Sequence, residues 1–166
     1  MSVESCKTSS QAGFMILETL MAAAFVSVGL LALSAMQGIS LARNVDASEL
    51  TRVTNLTSDI IERIVFNRQN IDQYNGLNTT ASTPCPTSMA TMARGDCLQW
   101  KAILESSAAR LTGVQGRVIV TSEGPTSPAL NQRRVTVTVA WTGSVKSGST
   151  VQRPRSVTME TVIAPE

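Results

Sequence analysis

Histidine is absent from the 166 residues, which removes the usual general base, the usual triad member and the commonest metal ligand together. The carboxylates Asp46, Glu49, Asp59 and Glu62 fall at helical spacing among polar residues, the pattern of a solvated helix face. No glycine-rich phosphate loop, Gly-x-Ser-x-Gly elbow or Cys-x-x-Cys pair occurs. These absences argue against an enzyme, and no residue pattern calls for a cofactor. One acidic residue stands apart. Glu18 lies at the edge of a dense apolar run, where a carboxylate in lipid costs roughly 2–3 kcal/mol or more unless it has a partner.

The element that must position Glu18 begins abruptly. Residues 1–13 (MSVESCKTSSQAG) are short, polar and rich in serine and threonine, a composition suited to a disposable leader. From Phe14 the text becomes FMILETLMAAAFVSVGLLALSAMQGISLA, with no charge between Thr19 and Ala42. At about 1.5 Å per residue that stretch exceeds the roughly 30 Å hydrocarbon core of a bilayer. Alanine, leucine and methionine dominate it, and no proline occurs before Pro84, so a continuous helix is expected. Gly29 and Gly38 are compatible with such a helix, because small residues let helices approach closely in lipid. A secretory signal cut near Ala32-Leu33-Ser34 is the alternative, but its leading region would carry Glu4, Lys7 and Glu18, the wrong charge balance.

Gly13-Phe14-Met15-Ile16-Leu17-Glu18 ahead of a long apolar helix resembles the class III signal of type IV prepilins and pseudopilins. The resemblance implies that a prepilin peptidase cuts after Gly13 and methylates the new N-terminal Phe14. It also implies that Glu18 docks on a neighbouring subunit. The chemistry suits the spacing: the Phe14 ammonium would be buried among apolar helices, and a buried charge needs a partner such as Glu18 of a neighbour. Met15 and Thr19 depart from the residues common in the family. The helix also lacks the proline of many major pilins, with Ala35 near its place, which points to a minor pilin.

Beyond Arg43 the helical period continues with Leu50, Val53, Leu56, Ile60, Ile61 and Ile64 as an apolar stripe and Asp46, Glu49, Arg52, Asp59, Glu62 and Arg63 opposite. This predicts one long helix that frays over 67–70, a turn at Asn75-Gly76 and a long loop over 76–95. Cys6 would leave with the leader, so Cys85 and Cys97 remain as an even pair, either bridged in an oxidising periplasm or as two free thiols. Without histidine they cannot complete a four-ligand zinc site. A short helix is expected from Cys97 to Leu111, followed by strands over 117–121, 134–141 and 155–163 with turns at 124–128 and 143–149. Trp100 and Trp141 read as core. The fold class is α+β: a long N-terminal helix packed on a small antiparallel sheet, as in type IV pilins. The organisation expected is a leader (1–13), a transmembrane or fibre-core half-helix (14–42), an amphipathic half-helix (43–70) and a periplasmic globular domain (71–166).

Tyr74-x-Gly76, the two cysteines, Trp100, Leu104, Leu111, Gly116-x-Val118 and Val137-x-Val139-x-Trp141 are similar in order to the PilV group of minor pilins, the type IV pilus modification proteins. That resemblance implies a structural subunit that helps to initiate or cap pilus assembly. Its implied partners are other minor pilins, the major pilin, the prepilin peptidase, an inner-membrane assembly platform, a tip adhesin and inner-membrane lipid. It implies an inner-membrane precursor with a periplasmic domain, and then the fibre or its tip. A type II secretion pseudopilin shares the leader and is the alternative within the family. A DNA-uptake or adhesion module is the alternative outside it, since Arg133-Arg134 and Arg153/Arg155 could form a basic patch. No aromatic residues interleave those arginines, so they read as solvated strand-edge charges rather than a nucleic-acid surface.

Overall fold

The computed structural model describes residues 11–80, 85–123, 131–143 and 154–164. The expected leader up to residue 10, Cys6, the turn at 124–128 and all but the start of the 143–149 loop lie outside them. Two compact units divide between Arg43 and Asn44. Helix α1, Gln11–Phe66, supplies all the described residues of the first unit and the opening element of the second.

In the first unit every side chain from Phe14 to Leu41 is exposed, so the apolar surface has no cover of its own. Three of the hydroxyls embedded in it are satisfied locally. Ser27 donates to the Ala23 carbonyl at 2.7 Å, Ser34 to Leu30 at 2.9 Å and Thr19 to Ile16 at 2.9 Å. Back-bonding of this kind lets hydroxyls stand in an apolar medium without an outside partner. By length and composition α1 meets the requirement of a membrane-spanning or signal segment.

The second unit is α+β. The 3₁₀ segment Arg68–Tyr74 follows α1, then α2 (Thr91–Ser107), β1 (Thr112–Ser122), β2 (Arg133–Thr142) and β3 (Pro154–Ile163). The strands form one antiparallel sheet in the order β1-β2-β3, with Val118 opposite Val137 and Val139 opposite Val157. Strict alternation puts Val135, Val137, Val139 and Trp141 on one face, where they are buried with Val118 and Val120 of β1. Val53, Leu56, Ile60 and Ile64 of α1 and Trp100 and Leu104 of α2 belong to the same core.

Several sequence expectations need correction. Leu50, placed on the apolar stripe, is 50% exposed, whereas Glu49, placed on the solvated face, is only 6% exposed. The helix does not fray past Asn67. The chain re-coils into the 3₁₀ segment, which buries Ile71 and Tyr74. Asn67 is itself buried; its N–H donates to Arg63 O at 3.0 Å and its side-chain amide donates to Tyr74 Oη at 2.9 Å. Helix α2 starts at Thr91 rather than Cys97, because Ala93 and Cys97 already belong to the buried stripe that continues through Trp100 and Leu104. Within the expected 76–95 loop, only residues 91–95 among those described are helical instead, where burial of one helix face overrides local composition. Strand β1 is also longer than 117–121.

The outer edge of β1 is covered by residues 75–79. Val118 N–H donates to Leu77 O at 2.9 Å, Thr79 N–H to Gly116 O at 3.0 Å and Val120 N–H to Asn75 Oδ1 at 3.0 Å. A covered edge offers no strand template to another chain. Gly76 turns into this segment at φ 77°, a conformation that side chains disfavour.

Gly116 sits directly beneath Trp100. A Cβ there would lie 2.2 Å from Trp100 Cη2 and 2.9 Å from Leu104 Cδ1. Trp100 has no freedom to retreat, since its indole N–H donates to Leu56 O at 2.9 Å from a fully buried position. Gly116→Ala is therefore expected to destabilise the chain by about 1–3 kcal/mol, the usual cost of overpacking. Urea unfolding of the detergent-solubilised full chain, followed by tryptophan fluorescence, measures it.

Candidate functional site

Among the described residues no group of acidic, cysteine or histidine side chains could hold a metal ion. The features that could do work are a helix surface, a set of polar ties and a disulfide.

The helix surface is at the start of α1. Phe14 and Glu18 are four residues apart and so share one face, and they line a shallow apolar hollow of about 350 Å³ with Leu17, Met21 and Phe25. Glu18 has no ion-pair or hydrogen-bond partner among the described residues. Gly13 precedes Phe14 within the helical backbone. Phe14 and Glu18 are thus brought together by about one turn of helix, with Gly13 just before them and no long-range fold required.

Cys85 and Cys97 are joined by a disulfide with Cα atoms 5.8 Å apart. The bridge ties the segment before α2 to the buried face of that helix, next to Asp96.

The polar ties were not visible in the sequence. Trp141 Nε1–H donates to Glu49 Oε2 at 3.1 Å in a buried setting, and Arg155 Nη2 donates to Asp46 Oδ2 at 3.0 Å. One turn of α1 is thereby fixed to the ends of β2 and β3. The only advance signal was that a buried indole N–H requires an acceptor. At the other end of the unit, Arg63 donates to Asp59 at 2.9 Å and lies 3.6 Å from Asp96 Oδ1. Asp96 Oδ2 in turn accepts the phenol proton of Tyr74. This network joins α1, the 3₁₀ segment and α2.

The arginines considered as a basic patch are occupied. Arg133 pairs with Asp72 at 2.9 Å, Arg134 with Glu123 and with Glu160 at 3.2 Å, and Arg155 with Asp46. Arg153 lies outside the described residues. The hydrogen bond that Arg134 donates to Glu123 holds its guanidinium above the ordinary pKa, as the one donated to Asp46 does for Arg155. Cations engaged in this way have little left to offer a phosphate backbone.

The chain matches no protein-family model, no curated protein and no solved structure.

Burial, followed by the hydrogen bond to Asp96, raises the pKa of Tyr74 well above its ordinary value near 10. The phenol is the favoured form in the fold. Its contribution to stability is fully present below the unfolded pKa near 10 and is lost as pH rises from there through the folded pKa. Because the chain has one tyrosine, its ultraviolet phenolate absorbance reports this group alone. Phenolate should appear at distinctly higher pH in folded protein than in denaturant, and Asp96→Asn should narrow the gap. Coincident titrations in the two states would contradict the buried, hydrogen-bonded phenol.

Proposed function

We propose that this chain is a minor pilin-like structural subunit, inserted in the inner membrane as a precursor and then packed into, or at the tip of, a type IV pilus fibre. The observation that carries the reading is the first part of α1. It exposes apolar side chains from Phe14 to Leu41, with Glu18 as its one charge, unpartnered and a single turn from Phe14. An uncovered apolar surface of that length must be met by lipid or by other helices. Helices packed side by side would bury Glu18 as well, and a carboxylate buried without a partner costs several kcal/mol.

Cleavage after Gly13 supplies the partner. It creates an ammonium on Phe14, methylated or not, within reach of the Glu18 of a neighbouring subunit. The pair adds little net stability after desolvation, but mispairing leaves two buried charges uncompensated. It therefore acts on specificity and axial register more than on affinity. The Cys85–Cys97 bridge suits a domain that matures in an oxidising periplasm. The partners in this reading are the prepilin peptidase, the assembly platform, other minor pilins and the major pilin, with a tip adhesin as a further neighbour.

Two outcomes follow. The mature protein should begin at a methylated Phe14, and Gly13→Leu should leave the precursor uncut. N-terminal mass analysis decides this, and an intact leader or a cut near Ser34 would defeat the reading. Glu18→Ala and Glu18→Gln should keep membrane insertion, folding and leader removal. Both should lower crosslinking to partner pilins in membranes about tenfold, equivalent to roughly 1.4 kcal/mol. Wild-type crosslinking by both variants would show that apolar packing alone recruits the helix.

A further inference from the structure

The second unit carries two apolar surfaces of opposite free charge, one near each end of its share of α1. At the far end Phe66 is 81% exposed, beside Met92 at 45% and Val65 at 41%. Phe66 and Met92 border a hollow of about 260 Å³ together with Asp59, Glu62, Arg63 and Asp96, three carboxylates against one guanidinium. Arg63 is already engaged by Asp59 and Asp96, so it neutralises its own neighbours. Glu62 is exposed and has no partner among the described residues. A lone exposed apolar residue needs no explanation, but a large aromatic grouped with other apolar side chains around an acidic hollow has the make-up of a contact surface.

The near end is its counterpart. A hollow of about 500 Å³ lies between α1 and the chain that follows α2, lined by Val45, Ser48, Arg52, Arg110 and Leu111 among others. Its one carboxylate, Glu49, already accepts the Trp141 indole proton. Arg52 and Arg110 are exposed and have no carboxylate partner among the described residues. This hollow therefore presents free positive charge over an apolar floor, with room for an aromatic side chain.

We propose that these surfaces join two copies of this chain head to tail, with Phe66 of one copy seated in the near-end hollow of the next and its Glu62 against Arg52 and Arg110. Charge complementarity selects the occupant. The acidic surface repels nucleic acid and anionic lipid, while the same chain carries a basic apolar hollow of adequate size. At about 1.5 Å per residue, Glu62 lies ~15 Å and Phe66 ~21 Å beyond Arg52 along α1. Ten residues at 3.6 per turn also set Glu62 and Arg52 roughly 80° apart around the helix. If successive copies lie parallel, they are therefore offset along α1. The two surfaces differ, so the contact is heterologous: it leaves an unused surface at each end and propagates as a screw unless the rotation closes it. The proposal rests on the second unit and holds whether or not the leader is removed.

The test uses full-length chains bearing two different tags, co-expressed in membranes and co-purified in mild detergent. Phe66→Ser should lower co-purification of the two tags about tenfold. Glu62→Arg in both copies sets positive against positive, Arg52→Glu in both sets negative against negative, and each should lose the association. Glu62→Arg in one copy with Arg52→Glu in the other restores complementary charge and should recover it. Urea unfolding of each variant confirms that the fold is kept, and N-terminal mass from the same sample reports processing separately. Failure of the mixed pair to recover, or association indifferent to Phe66 and Glu62, would overturn the contact. The latter result would assign any pairing to the apolar part of α1, and a partner other than a second copy to the Phe66 surface.

Discussion

Trp100 stands where three elements of the second unit meet. Its indole N–H reaches across to a backbone carbonyl of α1, its own backbone belongs to α2, and its ring occupies the space a side chain on Gly116 of β1 would need. The close approach exists only because Gly116 has no side chain, and the Leu56 carbonyl satisfies a donor that would otherwise be buried at a cost of about 1–3 kcal/mol. From that seat the rest of the layer order follows. With α1 and α2 both held against the sheet, the valines of β1 and β2 have one face to fill and the alternation of the strands fills it.

Around this apolar centre the polar groups act as ties at the margins. Glu49 and Asp46 fasten one end of α1's packed portion to Trp141 and Arg155. Asp59, Arg63, Asp96 and Tyr74 fasten the other end to α2 and the 3₁₀ segment. Buried or half-buried pairs of this kind add modest net stability after desolvation, yet losing one member is costly, so they discriminate against slipped packings of the helix. The disulfide adds a covalent tie beside Asp96. Its stabilising effect, about 3 kcal/mol for a loop of this size, acts chiefly on the unfolded chain.

The first part of α1 follows a different rule. Nothing among its described residues shields its apolar side chains, and the hydroxyls of Thr19, Ser27 and Ser34 are satisfied within the helix. Such a segment is stable only in surroundings supplied by lipid or by other helices, which is why the proposed role is one of assembly. In the proposed role Glu18, the one charged side chain between Phe14 and Leu41, would meet a neighbour's Phe14 ammonium and so distinguish one register from another. In the proposed head-to-tail contact Phe66, Glu62, Arg52 and Arg110 extend the same logic to the second unit, where apolar contact would supply affinity and unpaired charge direction.

What the sequence determined by itself is local in character. The apolar run from Phe14, the position of Glu18 one turn beyond, the stripe of Val53, Leu56, Ile60 and Ile64, and the alternation of β2 are properties of neighbouring residues, and periodicity reveals them directly. The tertiary structure decided what depends on distant partners. Glu49 looked like a solvated helix residue until Trp141, 92 positions away, was placed over it. The start of α2 at Thr91 lies in a stretch rich in residues that favour loops, and only the buried positions of Ala93 and Cys97 make a helix there worthwhile. The 3₁₀ segment likewise forms because Ile71 and Tyr74 find a core to enter and Asn67 and Asp96 hold the phenol between them. Local composition carries no record of such contacts. They arise only when burial free energy, summed over the assembled layers, exceeds the weaker preferences of each segment.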